Sequence, residues 1–137
     1  MRLICPLIAM LLLFSAGARA GDEEENIDCE NIRNTVESNF CADKDLQSAD
    51  TKLNALYKKV LTQISEDSLE KPYDRKTWEN ALRESQRAWM SFRDLDCKGV
   101  VPLEWSGGTG TTAAVLICLK EKTETRAKEL SERYGQN

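Results

Sequence analysis

"DLQSADTKLNALYKKVLTQIS", residues 45–65, decides the fold. Leu46, Ala49, Leu53, Leu56, Val60 and Ile64 recur at steps of 3, 4, 3, 4 and 4. That is the repeat of one face of an amphipathic α-helix, not the alternation of a strand. The spacing predicts a helix from Asp43 to about Ser65. Just upstream, "NIDCENIRNTVESNFC" carries Ile32, Val36 and Phe40 four residues apart, which predicts a short helix closed at Cys41. Downstream, "EDSLEKPYD" reads as a linker punctuated by Pro72.

A second long helix is expected from near Asp74 to about Cys97, with Trp78, Leu82, Ser85, Trp89 and Phe92 on one face. A third begins near Thr111 or Thr112 and carries Ala113, Leu116, Lys120, Ala127, Leu130 and Tyr134. No segment of strand length alternates and no internal repeat is visible. The fold class is all-α: a small single-domain bundle of three long helices plus a short N-terminal helix.

The chain opens with "MRLICPLIAMLLLFSAGARA", in which Arg2 precedes an apolar run from Leu3 to Phe14 and Ala18 and Ala20 form an A-x-A cleavage pattern. These are the parts of a secretory signal peptide over residues 1–20, and the apolar run is too short to span a membrane. Gly21 stands where a bacterial lipoprotein would carry its anchor cysteine, so no membrane anchor is expected after cleavage. Residues 21–27 form an acidic lead-in ("GDEEEN" and Ile27), the helical domain covers 28–134, and 135–137 form a tail. The mature protein is expected to be periplasmic or secreted, in a Gram-negative bacterium.

Cys5 leaves with the leader, and Cys29, Cys41, Cys97 and Cys118 remain. An even number in a small exported chain reads as two disulfides, for which three pairings exist. The pairing local in sequence, Cys29–Cys41 with Cys97–Cys118, is the expected one, each bridge contributing about 3 kcal/mol by loop closure. A zinc site is not indicated, because the chain has no histidine and no C-x-x-C knuckle. No metal and no cofactor are expected.

Of the 19 basic residues, Arg2 and Arg19 leave with the leader; the remaining 17 face 23 acidic ones, a net charge of −6. No basic patch interleaves with aromatics, which argues against nucleic acid as a partner. An acidic exported protein is suited to a basic partner, with electrostatics speeding the encounter.

The stretch "CKGVVPLEWSGGTGTTAAVLIC", residues 97–118, is nearly uncharged and glycine-rich. It is not a phosphate-binding loop, since "GGTGTT" lacks the lysine of that motif and follows a helix rather than a strand. It is expected to leave the second helix at Cys97, run as a loop, and cap the last helix at Thr111 or Thr112. Within it, Trp105, Ser106, Gly108, Thr109, Gly110 and Thr111 are the candidate partner-binding residues, with Trp105 as an aromatic anchor. The alternative is that Trp105 and Val101 fold back onto the helices and the glycines serve only the turn.

Several polar residues fall where helix faces turn inward. Asp50, Asn54 and Tyr57 lie at i, i+4 and i+7, Gln86 and Arg93 flank Trp89, and Arg126 borders the last apolar face. Asp50, Asn54, Arg93 and Arg126 admit a binding-site reading. The expected role is instead a partly buried hydrogen-bond and ion-pair network that sets helix register, because polar groups on packed helices need partners.

The strings "ADTKLNALYKKVL", "ESQRAWMSFRDLDC" and "CLKEKTETRAKEL" resemble the LprI-like lysozyme inhibitor family. The family pattern is matched at Cys41, Ala49, Asp50, Leu53, Asn54 and Tyr57, then at Gln86, Arg87, Trp89, Phe92, Arg93, Asp94 and Cys97. It continues with a Gly-rich loop and then at Cys118, Thr123, Arg126 and Leu130. The likeness covers nearly all of 29–130 and places Asp94 with the structural network. It implies a small exported helical domain with disulfides, binding a basic protein such as lysozyme and inhibiting it by blocking its cleft. The competing reading is a periplasmic structural or interaction protein, immunity- or chaperone-like, with no lysozyme activity. An enzyme is not expected. Without histidine, Ser-His and Cys-His triads are excluded, and the carboxylates sit mostly on solvated helix faces beside Lys and Arg rather than among apolar neighbours.

Overall fold

The computed structural model describes residues 27–65 and 70–135. The expected signal peptide (1–20), residues 21–26 of the expected acidic lead-in, residues 66–69 of the expected linker and residues 136–137 lie outside the described residues. Every regular element described is helical: α1 (Thr35–Ser65), α2 (Arg75–Leu95), a π-helical turn (Asp96–Val100), a one-turn α3 (Val101–Glu104) and α4 (Thr111–Tyr134).

The bundle's polarity follows from contacts between the helices. Asp50 meets Thr123 and Gln63 meets the Tyr134 carbonyl, so α1 and α4 run parallel. Trp78 meets Tyr134 while Arg93, further along α2, meets Asp50 and Thr123, so α2 runs antiparallel to both. The core is Leu53, Val60, Ile64, Leu82 and Leu130, with Leu56, Tyr57, Trp78, Trp89, Ala127 and Tyr134 packed around it. Each fully buried aliphatic side chain contributes about 1.5–3 kcal/mol. The period read in 45–65 therefore marks the buried face of α1 correctly.

Two boundaries differ from the sequence reading. The short N-terminal helix and the first long helix are one continuous 31-residue element, with Cys41 buried in its interior. Nothing between residues 35 and 65 can break a helix, since the segment contains neither Gly nor Pro. Its first turn is closed by Asn34, whose side-chain oxygen accepts from the Glu37 amide at 2.9 Å, while Glu37 accepts from the Arg33 amide at 2.8 Å. The second long helix starts as expected, with Asp74 as N-cap accepting from the Thr77 amide at 2.9 Å. Past Leu95, however, the chain continues through the π turn and α3, so the irregular loop is only 105–110.

The disulfides are Cys29–Cys41 and Cys97–Cys118. The first ties the N-terminal segment to α1. The second joins the π turn, where Cys97 is fully buried, to the second turn of α4.

Candidate functional site

Two groups of residues carry the chemistry this fold can offer. The first lies between the helices. Arg93 on α2 is the hub: its Nη1 donates to Asp50 Oδ1 at 3.0 Å and to Thr123 Oγ1 at 2.9 Å, and its Nε donates to Asp94 Oδ1 at 3.1 Å. The Thr123 hydroxyl, fully buried, donates to Asp50 Oδ1 at 3.3 Å. One guanidinium thereby locks all three long helices together. One turn pair away, Arg126 Nε donates to Gln86 Oε1 at 3.1 Å, Nη2 to Ser85 Oγ at 3.3 Å, and Nη1 to Glu129 at 3.0 Å. The Trp89 ring lies against both cations, 5.2 Å from the Arg93 guanidinium and 5.9 Å from that of Arg126.

Asp94 is held on its other side by Lys98 at 2.7 Å. Lys98, then Arg93, keeps its carboxyl below the usual aspartate range. The structure thus joins Asp50, Gln86, Arg93, Asp94 and Arg126. Asn54 is exposed and makes no hydrogen bond among the described residues, and Tyr57 packs against the apolar core instead. Thr123 is the member that helix periodicity missed: the face of α4 runs through Leu119 and Thr123, not Lys120, which is half-buried and pairs with Glu124. On α2 the inward residues are Leu82, Gln86, Trp89 and Arg93. Phe92, expected inside, is 57% exposed, with the Lys122 ammonium 4.9 Å from its ring centre.

The second group is the turn between α3 and α4. Pro102 sits in the first turn of α3, where its missing N–H has no helical partner to lose. The helix stops at Trp105, and Ser106 (φ 50°) and Gly107 (φ 65°) both take left-handed backbone. Their amides return to Leu103 and Pro102 carbonyls at 3.1 Å each, which closes the C-terminus of α3. Leu103 is 78% exposed and Trp105 51%. Ser106, Gly108 and Thr109 are exposed, and Gly110 and Thr111 are partly covered.

Trp105 is neither folded into the core nor fully free. Its indole rests on Gly110, where an added Cβ would stand 2.5 Å from Cζ3. That contact explains a departure from the expected cap. The N-cap of α4 is Gly110, without a side-chain bond, and Thr111 is the first helical residue with its hydroxyl buried and unpartnered. Leu103 was not singled out from sequence. The signal was there, in a Pro-started helical turn too short to bury both Leu103 and Trp105.

Among the described residues, one group brings possible metal-ligand atoms together. Asp96, Cys97 and Cys118 bring ligand atoms within 4.8 Å, but both sulfurs are joined in the disulfide and Asp96 pairs with Lys122 at 2.9 Å. Among the described residues no helix is long and apolar enough to cross a membrane.

Residues 28–130 match the family described as "Lysozyme inhibitor LprI". Over 135 residues the chain is 33% identical to an uncharacterized protein of Rhizobium meliloti (strain 1021), an alignment covering 96% of this chain and 95% of that protein. No solved structure matches the chain.

Proposed function

The chain belongs to the LprI lysozyme-inhibitor family, and from that premise we propose that it is exported and inhibits lysozyme by seating its α3–α4 turn in the enzyme's substrate cleft. The observation that carries this reading is the half-exposed Trp105 beside the 78%-exposed Leu103, on a turn braced at its base by Cys97–Cys118. Aromatic and aliphatic anchors on a rigid turn lose little conformational entropy on docking, which is what a cleft blocker requires. Ser106 and Thr109 hold hydroxyls beside the anchor, able to donate to the two carboxylates of a glycosidase cleft. Between the two cysteines the only charges are Lys98 and Glu104, so the docking surface itself has little charge to desolvate. Steering falls to the acidic body, whose net charge is −6 once residues 1–20 are removed.

The test is lysis of cell walls by an animal-type lysozyme in the presence of the oxidised chain from Gly21 onward, at low and physiological salt. Inhibition at micromolar protein is expected, with an association rate that falls as salt rises. Trp105→Ala should weaken inhibition by about 30-fold or more, the loss typical of a hot-spot residue. Its far-UV circular dichroism should stay unchanged. Absence of inhibition by the wild type would instead favour an envelope interaction protein without lysozyme activity. Undiminished inhibition by the folded variant would remove the turn from the interface.

A further inference from the structure

The outer face of α2 carries an open groove of about 580 Å³ lined by Arg87, Met90, Ser91, Asp94 and Leu95. It lies on the side of the helix away from Leu82, Gln86, Trp89 and Arg93, which face α1 and α4. Leu95 is 73% exposed and Met90 46%. Arg87 is exposed and makes no hydrogen bond or ion pair among the described residues.

We propose that this face is a two-fold interface between two copies of this chain, with their α2 helices packed antiparallel and crossing near residues 90 and 91. The charge order on the helix carries the assignment. Arg87 and Asp94 are seven residues apart, two turns, and so border one stripe on either side of its apolar centre. In an antiparallel pair, a register that sets Arg87 against Asp94 of the second copy sets Asp94 against that copy's Arg87 by symmetry. The same register places Met90 opposite Ser91, a large side chain over a small one, as close helix packing requires.

A face with opposite charges at its two ends complements itself only when inverted, which is the condition for an isologous contact. A basic partner would call instead for a face acidic throughout. Asp94 is ready for the contact. Lys98 and Arg93 fix its carboxylate, its side chain is 40% exposed, and a carboxylate engaged by two donors has acceptor capacity left for a third. One helix face buries less than a standard interface, so the dimer is a weak one. It uses none of the residues of the α3–α4 turn and stands whether or not the chain inhibits lysozyme.

The experiment is sedimentation equilibrium of the oxidised chain from about 5 to about 500 μM, bracketing micromolar-to-weaker affinity, at low salt. A reversible monomer–dimer equilibrium is expected. R87D makes the groove's flanks wholly acidic and D94R makes them wholly basic. Each variant alone should dimerise at least tenfold more weakly than the wild type. Mixed in equal amounts they should associate at least as well as the wild type. Unchanged near-UV circular dichroism confirms that both variants fold. A chain monomeric throughout the range, variants that self-associate like the wild type, or a mixture that fails to recover association would each overturn the proposal.

Discussion

Arg93→Met tests whether one guanidinium sets the register of the bundle. The substitution keeps a long stem of similar volume and removes the donors to Asp50, Thr123 and Asp94. Severing a fully buried ion pair costs about 3–5 kcal/mol, but Asp50 and Asp94 are each 40% exposed and water can reclaim them. Their share therefore falls to the surface value, at most about 1 kcal/mol each. Thr123 is fully buried and keeps only its bond to Asp50, so the loss of its other partner adds about 1 kcal/mol. The contact with Trp89 adds about 0.5 kcal/mol or more.

The expected destabilisation is thus about 2–3 kcal/mol, or about 10 °C in Tm for a domain of this size. Urea unfolding of the oxidised protein at pH 7, followed by far-UV circular dichroism, measures it. Arg93→Lys should recover less than half, because a point charge cannot reach three acceptors in a fixed fork. In a double-mutant cycle, Arg93→Met with Thr123→Val should show about 1 kcal/mol of coupling. A loss below about 1 kcal/mol for Arg93→Met, or full recovery by Lys, would refute the reasoning: Arg93 would then be a solvated charge.

Acid should destabilise the fold in a defined window. The Asn31 side chain lowers Asp28, the Arg33 amide and guanidinium lower Glu37, the Thr77 amide lowers Asp74, and Lys98 lowers Asp94. Groups with depressed folded values contribute stability that is complete above their unfolded values, near about pH 4, and lost as pH falls through the folded ones. With no histidine in the chain, Tm should be level from about pH 5 to 8 and drop below about pH 4. A transition between pH 6 and 7 would contradict this assignment. Gly110→Ala should displace the Trp105 indole, since the new Cβ would stand 2.5 Å from Cζ3. A shifted indole N–H resonance, with stability changed by less than about 1 kcal/mol, is the expected signature. Leu130→Ala, at a position 2% exposed in the core, should cost about 2–5 kcal/mol in the same urea assay.

What the sequence disclosed depended on how many residues repeated a signal. The α1 face is stated six times between Leu46 and Ile64, and its burial follows. The start of α2 is stated once, by Asp74, but with a capping mechanism that leaves little choice. Where two cues conflicted, the reading failed. The spacing of Ile32, Val36 and Phe40 predicts a short helix closed at Cys41, yet a cross-link constrains distance and not dihedral angles, and α1 runs through Cys41.

The nearly uncharged, glycine-rich composition of 97–118 suggests a loop from Cys97 onward. Gly99 instead lies in the π turn and Pro102 in the first turn of α3, both places where each residue is compatible with helix. The phase of α4 was misjudged at its centre because Thr123 is polar. Its hydroxyl is buried on account of Arg93 and Asp50, partners 30 and 73 residues away, which no local period can reveal. Trp105 could not be oriented from sequence because its support is the absence of a side chain at Gly110.

The residues that carry the family likeness lie apart from the α3–α4 turn proposed to bind lysozyme. Asp50, Gln86, Trp89, Arg93, Thr123 and Arg126 all belong to the network between the helices, and Cys97 and Cys118 brace its end. From Leu103 to Thr111 the pattern asks only for a glycine-rich loop and names no single side chain. The network positions thus build a scaffold whose register is fixed by polar bonds between the helices, while Asn54, Arg87 and Phe92, also matched, are exposed. The segment in which the pattern names no side chain is also the one where Leu103 and Trp105 reach solvent. On the proposed reading, partner choice can then change by replacing about nine residues of the turn while the network keeps the fold intact. Substitutions at Arg93 should lower Tm and leave the affinity of the folded protein for lysozyme unchanged, and substitutions at Trp105 should do the reverse. A lysozyme affinity that followed Tm across both series would place binding on the helix faces and not on the turn.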